Sequence, residues 1–312
     1  MSFSSEVKHE ITTMPVEVCC MRAQISSFLH INSSLVIRNR QLMIEAEIEN
    51  ATIARQMYKL IKDLYDVDIE LTIFKKQNLN KNNIYVLTVQ SGAEKILNDI
   101  GIYEDGRITH RPAPHIVEKE CCVRSYLAGA FLASGSINAP TSRHYHLEIS
   151  TLRKELAQYM VQLLQQFDMD AKIIQRRLRY VVYIKAADKI ADFLKVVGAY
   201  NKTMEFEDIR IQRDFKNSLT RLDNCEVANE VKTIKAGSKQ LDAIYKLIEA
   251  NQYNNLDEKI IMVGDLRMNH PESSLNELID EYEMSYGETI SKSGLQHRFK
   301  KIMTLAAKLE ED

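Results

Sequence analysis

The feature that most constrains the fold of this chain is an internal repeat in its first two thirds. CCMRAQISSFLHINSSL begins at Cys19, and CCVRSYLAGAFLASGSI begins at Cys121 about 100 residues later. The two segments share four identities over seventeen positions, which is weak support for a duplication when taken alone. Each segment, however, is followed by the same series of predicted elements. That recurrence indicates a tandem duplication.

In the first copy the predicted strands are Leu35–Arg38 and Leu42–Glu49. The second of these has period-two alternation of apolar residues with glutamates. NATIARQMYKLIKDLY then predicts a helix capped by Asn50, and DIELTIF and NIYVLTVQ predict a β-hairpin before the closing helix AEKILNDIGI. The apolar face of the capped helix comprises Ile53, Met57, Leu60 and Ile61, and the alternating strand carries Glu45, Glu47 and Glu49.

In the second copy HYHLEIS predicts a strand, and TLRKELAQYMVQLLQQF predicts a helix capped by Ser150 or Thr151. DAKIIQRR and RYVVYIKA predict the hairpin, and DKIADFLKVVGA the closing helix. The first copy differs by the longer hairpin turn KKQNLNKNN, where an insertion is cheap.

The repeat predicts an α+β fold of two α-β-β-α-β-β-α halves related by a pseudo-twofold axis. Small residues at matching positions would let the first helices of the two halves pack closely, although an ordinary core helix also contains such residues. They are Ala128, Gly129, Ala133 and Gly135 in one copy and Ser26, Ser27 and Ser33 in the other. The predicted domains are 1–110 and 111–205 for the halves, 206–222 for a linker and 223–312 for an all-α domain.

The C-terminal third predicts short helices. NCEVANEVKTIKAG should end at Gly237, SKQLDAIYKLIEANQ follows, and LDEKIIMVGDLRMNHP should stop before Pro271. Residues 273–306 predict a helix-turn-helix, with Ser273 or Ser274 and then Ser291 as N-caps and a turn at Gly287. The predicted inward residues are Leu241, Ile244, Tyr245 and Ile248, then Leu275, Leu278 and Ile279, then Leu295, Phe299, Ile302 and Met303.

The outward face of the last helix predicts contact with double-stranded DNA. It combines hydroxyl, amide and basic groups, which suit phosphates and base edges, and there is no acid between Ser291 and Lys308. A solvated basic face is the simpler alternative. The candidate DNA-binding residues are Ser291, Lys292, Ser293, Gln296, His297, Arg298, Lys300 and Lys301.

A second candidate DNA contact is the basic hairpin of the second copy, which carries Lys172, Arg176, Arg177 and Arg179. This run is also compatible with a solvated sheet face. The glutamates of the first copy would repel a duplex, so a symmetric DNA saddle is not supported.

Composition limits other functions. Hydrophobic residues make up 45% and charged residues 27% of the 312 positions, which is typical of a globular protein. The net charge of −2 provides no global field for nucleic acid, so DNA binding would depend on local patches. No apolar run is long enough to span a membrane and no signal peptide is evident. With five cysteines, we expect reduced thiols in a cytoplasmic, nucleoid-associated protein.

No metal or cofactor is predicted. Adjacent cysteines at Cys19–Cys20 and Cys121–Cys122 are poorly placed to chelate one ion, and no CxxC or histidine pair completes either set. Buried small hydrophobes are the preferred interpretation of these pairs. His144 and His146 share a strand face without an evident partner ligand. The sequence contains no P-loop and no GxGxxG.

YLAGAFLASGSI resembles the LAGLIDADG helix of homing endonucleases, in which two such helices pack at a pseudo-dyad and each delivers a metal-binding acid at its end. The resemblance covers about residues 15–200 and places the acid positions at Asn32 and Ser134. Because neutral side chains cannot gather Mg²⁺ between scissile phosphates, the resemblance implies a nuclease scaffold without catalysis.

SSLNELIDEYE and ISKSGLQHRFKKI resemble the end of the WhiA family of bacterial transcription regulators, which fuse a degenerate LAGLIDADG domain to a helix-turn-helix. The matching runs are Ser291–Gly294, His297–Arg298 and Lys301–Ile302, while Gln296, Phe299 and Lys300 replace the family's usual Asn, Leu and Arg. The resemblance implies a DNA-binding protein of Gram-positive bacteria linked to sporulation, cell division or chromosome segregation. It extends over essentially the whole chain.

Three hypotheses follow from the sequence. The first is a sequence-specific regulator whose N-terminal domain positions DNA or recruits another regulatory protein. The second is an active nuclease with displaced acids, and the third is a protein-interaction scaffold that does not read DNA.

Overall fold

The computed structural model describes residues 2–38, 40–75, 83–104, 107–109 and 111–309. The chain divides into two compact units, Met1–Arg213 and Asp214–Asp312. The first unit contains both copies of the repeat around one shared apolar core, and the second is helical with its own core.

The first copy begins with a helix that the sequence did not predict and then follows the predicted order. Its elements are α1 (Phe3–Thr13), α2 (Val18–Asn32), β1 (Ser33–Arg38), β2 (Gln41–Ile48), α3 (Ala51–Tyr65), β3 (Ile69–Lys75), β4 (Asn83–Val89) and α4 (Ala93–Asp99). Asn50 caps α3 by accepting from the amide nitrogens of Thr52 and Ile53 at 2.9 and 3.4 Å, as predicted. The longer hairpin turn falls largely on 76–82, outside the described residues.

The two copies are joined by a small hairpin, β5 (Tyr103–Glu104) and β6 (Arg107–Ile108), and a 3-10 turn at Pro114–Val117. The second copy comprises α5 (Glu120–Ser134), β7 (Gly135–Ile137), β8 (Leu147–Thr151), α6 (Lys154–Gln165), β9 (Lys172–Arg176), β10 (Arg179–Ile184) and α7 (Ala187–Val196). The prediction that Ser150 or Thr151 caps α6 is wrong. Both residues belong to β8, and the helix begins after Arg153.

Each copy builds one four-stranded antiparallel sheet. The strand orders are β1-β2-β4-β3 and β7-β8-β10-β9, so the two sheets have the same topology. Ile44, Ala46 and Ile48 are buried on the inner face of the first sheet, as Leu147 and Ile149 are on the second. The predicted duplicated α+β fold is confirmed.

Helix α1 is fixed by its own cap and by apolar packing. The Ser2 side chain accepts from the Ser5 amide at 3.2 Å, and Phe3, Val7 and Ile11 are buried in the common core. Their i, i+4 spacing forms a narrow apolar stripe, and α1 lies against α3, α5 and β7. Because the stripe lies within a polar stretch, it did not stand out in the sequence.

The second unit consists of the continuation of helix α8 (Tyr200–Glu249) and three shorter helices. These are α9 (Glu258–Asn269), α10 (Leu275–Tyr286) and α11 (Lys292–Lys308). The predicted helix end at Gly237 is wrong, because α8 is continuous through it, and the predicted linker at 206–222 is itself helical. Helix-forming residues and pairs such as Arg210–Glu207, 2.6 Å apart, make this polar stretch helical.

Gly237 serves close packing instead of helix termination. A Cβ at this position would lie 2.6 Å from the carbonyl oxygen of Pro271, so only glycine lets α8 pass the chain that leads into α10. Ile244 is buried as predicted. Tyr245 and Ile248 are 50% and 40% exposed, however, and the inward face instead uses Ala243 and Leu247.

Candidate nucleic-acid interface and the paired helices

The first helices of the two copies, α2 and α5, pack against each other at close range. A Cβ added to Gly129 on α5 would collide with the Ser27 hydroxyl and the Gln24 carbonyl of α2. Ser26, on the same helix, donates its hydroxyl to the Ile100 carbonyl at 2.8 Å. The small residues that recur in the sequence therefore permit a helix contact that larger side chains would prevent.

At the C-terminal ends of these helices, neutral residues occupy the two predicted acid positions. Asn32 is the last residue of α2 and Ser134 the last residue of α5. Asn32 donates its amide to the Glu47 carbonyl at 2.6 Å, and Ser134 donates its hydroxyl to the Ser150 carbonyl at 2.6 Å. Both side chains therefore fasten a helix end to the neighbouring strand.

Two carboxylates of the alternating strand lie near one of these ends, a position that the sequence did not predict. Glu47 and Glu49 line a cavity of about 330 Å³ together with Asn32 and Lys8. In the second copy, the positions equivalent to Glu47 and Glu49 are Ser150 and Leu152, by the matching strand registers. The acids are therefore present on one side of the pseudo-dyad and have no counterpart on the other.

The Lys8 ammonium from α1 shares this cavity. Burial lowers its pKa to about 8, and the charge of Glu49 opposes this shift. The nitrogen lies 5.6 Å from the centre of the Phe131 ring, a cation–π distance. At neutral pH Lys8 is therefore a cation held between the ends of the paired helices, where the negative helix dipoles favour positive charge.

The outer face of the second sheet is basic. Lys172, Arg176 and Arg179 lie on the face opposite the core, as the pairing of β9 with β10 requires. Arg177 occupies the turn in a left-handed conformation, with φ of 54°. This face also borders a cavity of about 760 Å³ that includes His146, Arg176 and Lys185.

Part of this basic charge is already neutralised. The Glu148 carboxylate accepts from Arg176 at 3.1 Å and lies 2.9 Å from the His146 ring nitrogen. Arg179 donates to the Ser150 hydroxyl at 3.4 Å. Lys172 and Arg177 are exposed on the described surface and make no ion pair among the described contacts. Of the four predicted hairpin residues, these two are best placed to contact a phosphate.

The first sheet presents the opposite charge on its outer face. Glu45 and Glu70 flank Thr88 in adjacent strands, and Glu47 lies next to Thr72 and Val86 across the same face. Arg38 pairs with Glu45 at 3.0 Å. The two halves therefore have the same topology but opposite outer-face charge, and the first face would repel a nucleic-acid backbone.

In the second unit, α9, α10 and α11 form a three-helix arrangement with a helix-turn-helix at α10–α11. Ser274 and Glu277 form a capping box at the start of α10, at 3.3 and 2.6 Å. Gly287 ends α10 with φ of 69°, a left-handed conformation that favours glycine. Ser291 caps α11 by accepting from the Gly294 amide at 3.1 Å. Both predicted helix starts are confirmed, with Ser274 as the first cap.

The two faces of α11 are as predicted, with one exception on the apolar side. Leu295, Phe299 and Ile302 are buried, whereas Met303 is 40% exposed. Among the predicted DNA-binding residues, those exposed to solvent are Ser291, Lys292, Ser293, Gln296, His297, Lys300 and Lys301. Along α11, which is described throughout, there is no acidic residue.

Arg298 differs from its neighbours on α11. It is half-buried, and its guanidinium donates to the Tyr282 hydroxyl at 3.2 Å and stacks over that ring. Its position therefore supports the packing of α11 on α10 rather than contact with a ligand.

Arg267 connects α8 to the chain segment just before α10, and this role was not predicted from the sequence. It is 1% exposed and donates to Gln240 at 2.9 Å and to the Ser273 carbonyl at 2.7 Å. It also lies over the Phe299 ring at 5.4 Å. Burial lowers the pKa of Arg267, but its high ordinary value leaves it charged. The sequence signal that could have identified it is an arginine among apolar residues, shortly before the His270–Pro271 pair that ends the helix.

Two cysteine pairs that lie about 100 residues apart in the sequence come together between the halves. The four sulfurs of Cys19, Cys20, Cys121 and Cys122 all lie within 4.8 Å of one another. The expectation of no metal site considered each pair by itself, and that premise is wrong. The matching positions of the pairs at the starts of α2 and α5 were the signal, because the pseudo-dyad brings these helix starts together.

Among the residues that the structure describes, no helix is both long enough and apolar enough to cross a membrane.

The fold and the terminal helix pair define a class of protein: a duplicated LAGLIDADG-like domain followed by a helix-turn-helix domain. Family models match all three parts in this order. They are the WhiA N-terminal LAGLIDADG-like domain at 18–103, the WhiA LAGLIDADG-like domain at 123–216 and the WhiA C-terminal HTH domain at 219–306. The chain belongs to the WhiA family.

Full-length relatives agree with this assignment. A protein of Bacillus cytotoxicus named "Probable cell division protein WhiA" is 44% identical, with 99% of this chain and 97% of the relative covered. A protein of Bacillus cereus with the same name is 43% identical over the same shares. The crystal structure of full-length WhiA from Thermatoga maritima matches 99% of each chain with a TM-score of 0.60 at 23% identity, which supports the fold.

Proposed function

We propose that this chain is a DNA-binding transcription regulator in which α11 reads the major groove of double-stranded DNA. The observation that carries the proposal is the acid-free, solvent-exposed face at the start of α11. Its hydroxyl, amide and basic groups can contact phosphates and base edges, and the capped helix start offers further amide donors. The relatives' names support a role in cell division, and the nucleoid is the proposed place of action.

The test measures binding of the full chain to a fluorescein-labelled random-sequence duplex. Fluorescence anisotropy reports the affinity at each concentration of a salt series. The double variant Lys300→Ala/Lys301→Ala should weaken binding and reduce the salt slope by about 2, because each phosphate contact contributes about 0.9 to that slope. Lys195→Ala is the matched control, since this lysine lies on α7 beside Asp192 at 3.5 Å. Failure of the unaltered chain to bind at low salt would refute the proposal.

We propose also that the LAGLIDADG-like domain does not cleave DNA. The supporting observation is the pair of neutral residues at the helix ends, together with a lysine in the cavity beside one of them. Incubation of supercoiled plasmid with the full chain and Mg²⁺ should leave the plasmid intact. Metal-dependent nicking that disappears in Asn32→Ala/Ser134→Ala would overturn this statement and favour a nuclease.

The opposite charges of the two outer sheet faces favour different partners for the two halves. The basic face around Lys172 and Arg177 is proposed as a secondary DNA contact. The acidic face around Glu45, Glu47 and Glu70 instead suits a basic surface of another regulatory protein. The variant Lys172→Glu/Arg177→Glu keeps α11 unchanged and should bind plasmid more weakly. Such a loss would show that this sheet contributes to DNA binding separately from the helix-turn-helix.

A further inference from the structure

The four cysteines at the starts of α2 and α5 form a cluster with the geometry of a mononuclear metal site. Sγ atoms within each pair lie 3.9 Å apart for Cys19–Cys20 and 4.0 Å apart for Cys121–Cys122. All four lie within 4.8 Å of one another. Two thiolates on one tetrahedral Zn²⁺, each about 2.3 Å from the ion, are about 3.8 Å apart. The cluster therefore needs only small side-chain adjustments to close around one ion.

The ligand chemistry selects the metal. Four thiolates without a carboxylate or imidazole make a soft donor set, which favours Zn²⁺ or iron over Mg²⁺ and Ca²⁺. Iron–sulfur clusters place several iron and sulfide atoms between their cysteines and so require the sulfurs to lie further apart. Separations of 4.8 Å or less therefore favour a single ion.

The surroundings can stabilise the charge of such a site. A Zn²⁺ ion with four thiolates carries a net charge of −2, and the cysteines lie in the first turns of two helices, at their positive dipole ends.

Access is available from one side of the cluster. Cys121 is exposed and Cys19 partly exposed, whereas Cys20 and Cys122 are buried. An ion can thus enter through the outer pair and be held by the inner pair.

We infer that Cys19, Cys20, Cys121 and Cys122 bind one Zn²⁺ as a structural tetrathiolate that joins the two repeats. The site lies at the opposite ends of the paired helices from Asn32 and Ser134. For helices of 15 residues these ends are about 22 Å apart. The ion would hold the helix starts together in a domain whose other helix ends are fastened to their strands by neutral hydrogen bonds. This role does not depend on the proposed DNA binding.

The first experiment titrates the full chain with Co²⁺ after anaerobic purification under reducing conditions. One equivalent should produce the thiolate-to-cobalt charge-transfer absorption and the strong visible bands of tetrahedral sulfur coordination, and Zn²⁺ should displace it. Cys121→Ser should lose the four-sulfur spectrum and bind at least tenfold more weakly. Cys225→Ser is the control, because Cys225 is exposed and is not one of the four clustered cysteines, and it should behave like the unaltered chain.

A second measurement covers the case in which Cys121→Ser fails to fold. In the Zn²⁺-loaded unaltered chain, iodoacetamide should alkylate only Cys225 rapidly, and a strong chelator should make all five cysteines reactive after Zn²⁺ is removed. Equal alkylation with and without Zn²⁺, absence of the cobalt-thiolate spectrum, or iron as the ion retained on purification would each overturn the assignment. If the unaltered chain binds Zn²⁺ but does not bind DNA, only the proposed function is refuted.

Discussion

Asn32 and Ser134 make the same hydrogen bond at equivalent ends of the paired helices. Asn32 donates to the Glu47 carbonyl and Ser134 to the Ser150 carbonyl, each at 2.6 Å. Glu47 and Ser150 occupy matching positions in β2 and β8. Side chains at the acid positions of the fold therefore act here as donors that connect helix to sheet, and an ionised carboxylate cannot take that role.

Replacement of Asn32 by aspartate should therefore destabilise the protein and should not create a nuclease. At neutral pH the carboxylate would face the Glu47 carbonyl without a proton to donate. We expect a loss of about 1 kcal/mol in the free energy of unfolding, measured by urea denaturation. Below about pH 4 the aspartic acid can donate again, so variant and unaltered chain should converge when compared at the same pH. Equal stabilities at pH 7 would show that this bond contributes nothing.

Lys8 should make stability depend on pH in the alkaline range. Its pKa is about 8 in the folded chain and 10.5 ordinarily, so the unfolded chain binds more protons between these values. Stability from this group is therefore reduced below pH 8 and recovers as the pH rises towards 10.5.

Lys8→Met removes this cost and should stabilise the protein at pH 6.5, by an amount on the order of 1–3 kcal/mol. The difference should shrink by pH 10, as measured by urea denaturation at both values. Lys195→Met, at an exposed lysine beside Asp192, is the matched control and should show no such pH dependence. A destabilised Lys8→Met at pH 6.5 would instead assign Lys8 a net stabilising contact.

The repeated elements could be predicted because their signals are local. Alternating residues specify β2, Asn50 specifies the start of α3, and Ser274 and Ser291 specify the starts of α10 and α11. Each of these features depends on residues within one or two turns or along one strand. The same property made the duplication visible despite few identities.

Features that depend on distant contacts could not be predicted in this way. Gly237 predicts a helix end because a glycine often ends a helix, but the structure needs glycine there because the Pro271 carbonyl passes beside it. The polarity of the 206–222 stretch predicts a linker, and its helical form depends on side-chain pairs such as Arg210–Glu207. Cys19 and Cys122 lie close together only because the pseudo-twofold arrangement brings the starts of α2 and α5 together. No local sequence pattern specifies that arrangement.

Arg267 should contribute strongly to the stability of the helical unit. Removal of a buried cation that donates to Gln240 and to the Ser273 carbonyl leaves these acceptors unsatisfied. Arg267→Met should lower the free energy of unfolding of this unit by about 3 kcal/mol, observed as a lower transition temperature in calorimetry of the full chain. Arg298→Met, which loses one bond to Tyr282 at 3.2 Å, should cost about 1 kcal/mol. If Arg267→Met and Arg298→Met lower the free energy of unfolding equally, the deeper burial of Arg267 adds nothing to stability.

Gln296 should determine sequence preference more than total affinity. Its amide is exposed on the first turns of α11, between lysines that can hold phosphates. Because glutamine can pair with the N6 and N7 atoms of adenine, removal of its amide should cost about 1–3 kcal/mol on preferred sites and little on other duplexes.

The measurement is selection from a random duplex library with the unaltered chain, followed by anisotropy on the selected site and a shuffled version. Gln296→Ala should reduce the affinity ratio of these two duplexes by roughly 5- to 150-fold and leave the salt slope unchanged, because no phosphate contact is lost. Gln252→Ala, at an exposed glutamine outside α10 and α11, should change neither quantity. An unchanged ratio in Gln296→Ala would mean that other residues of α11 read the bases, since the phosphate contacts of Lys300 and Lys301 act on both duplexes alike.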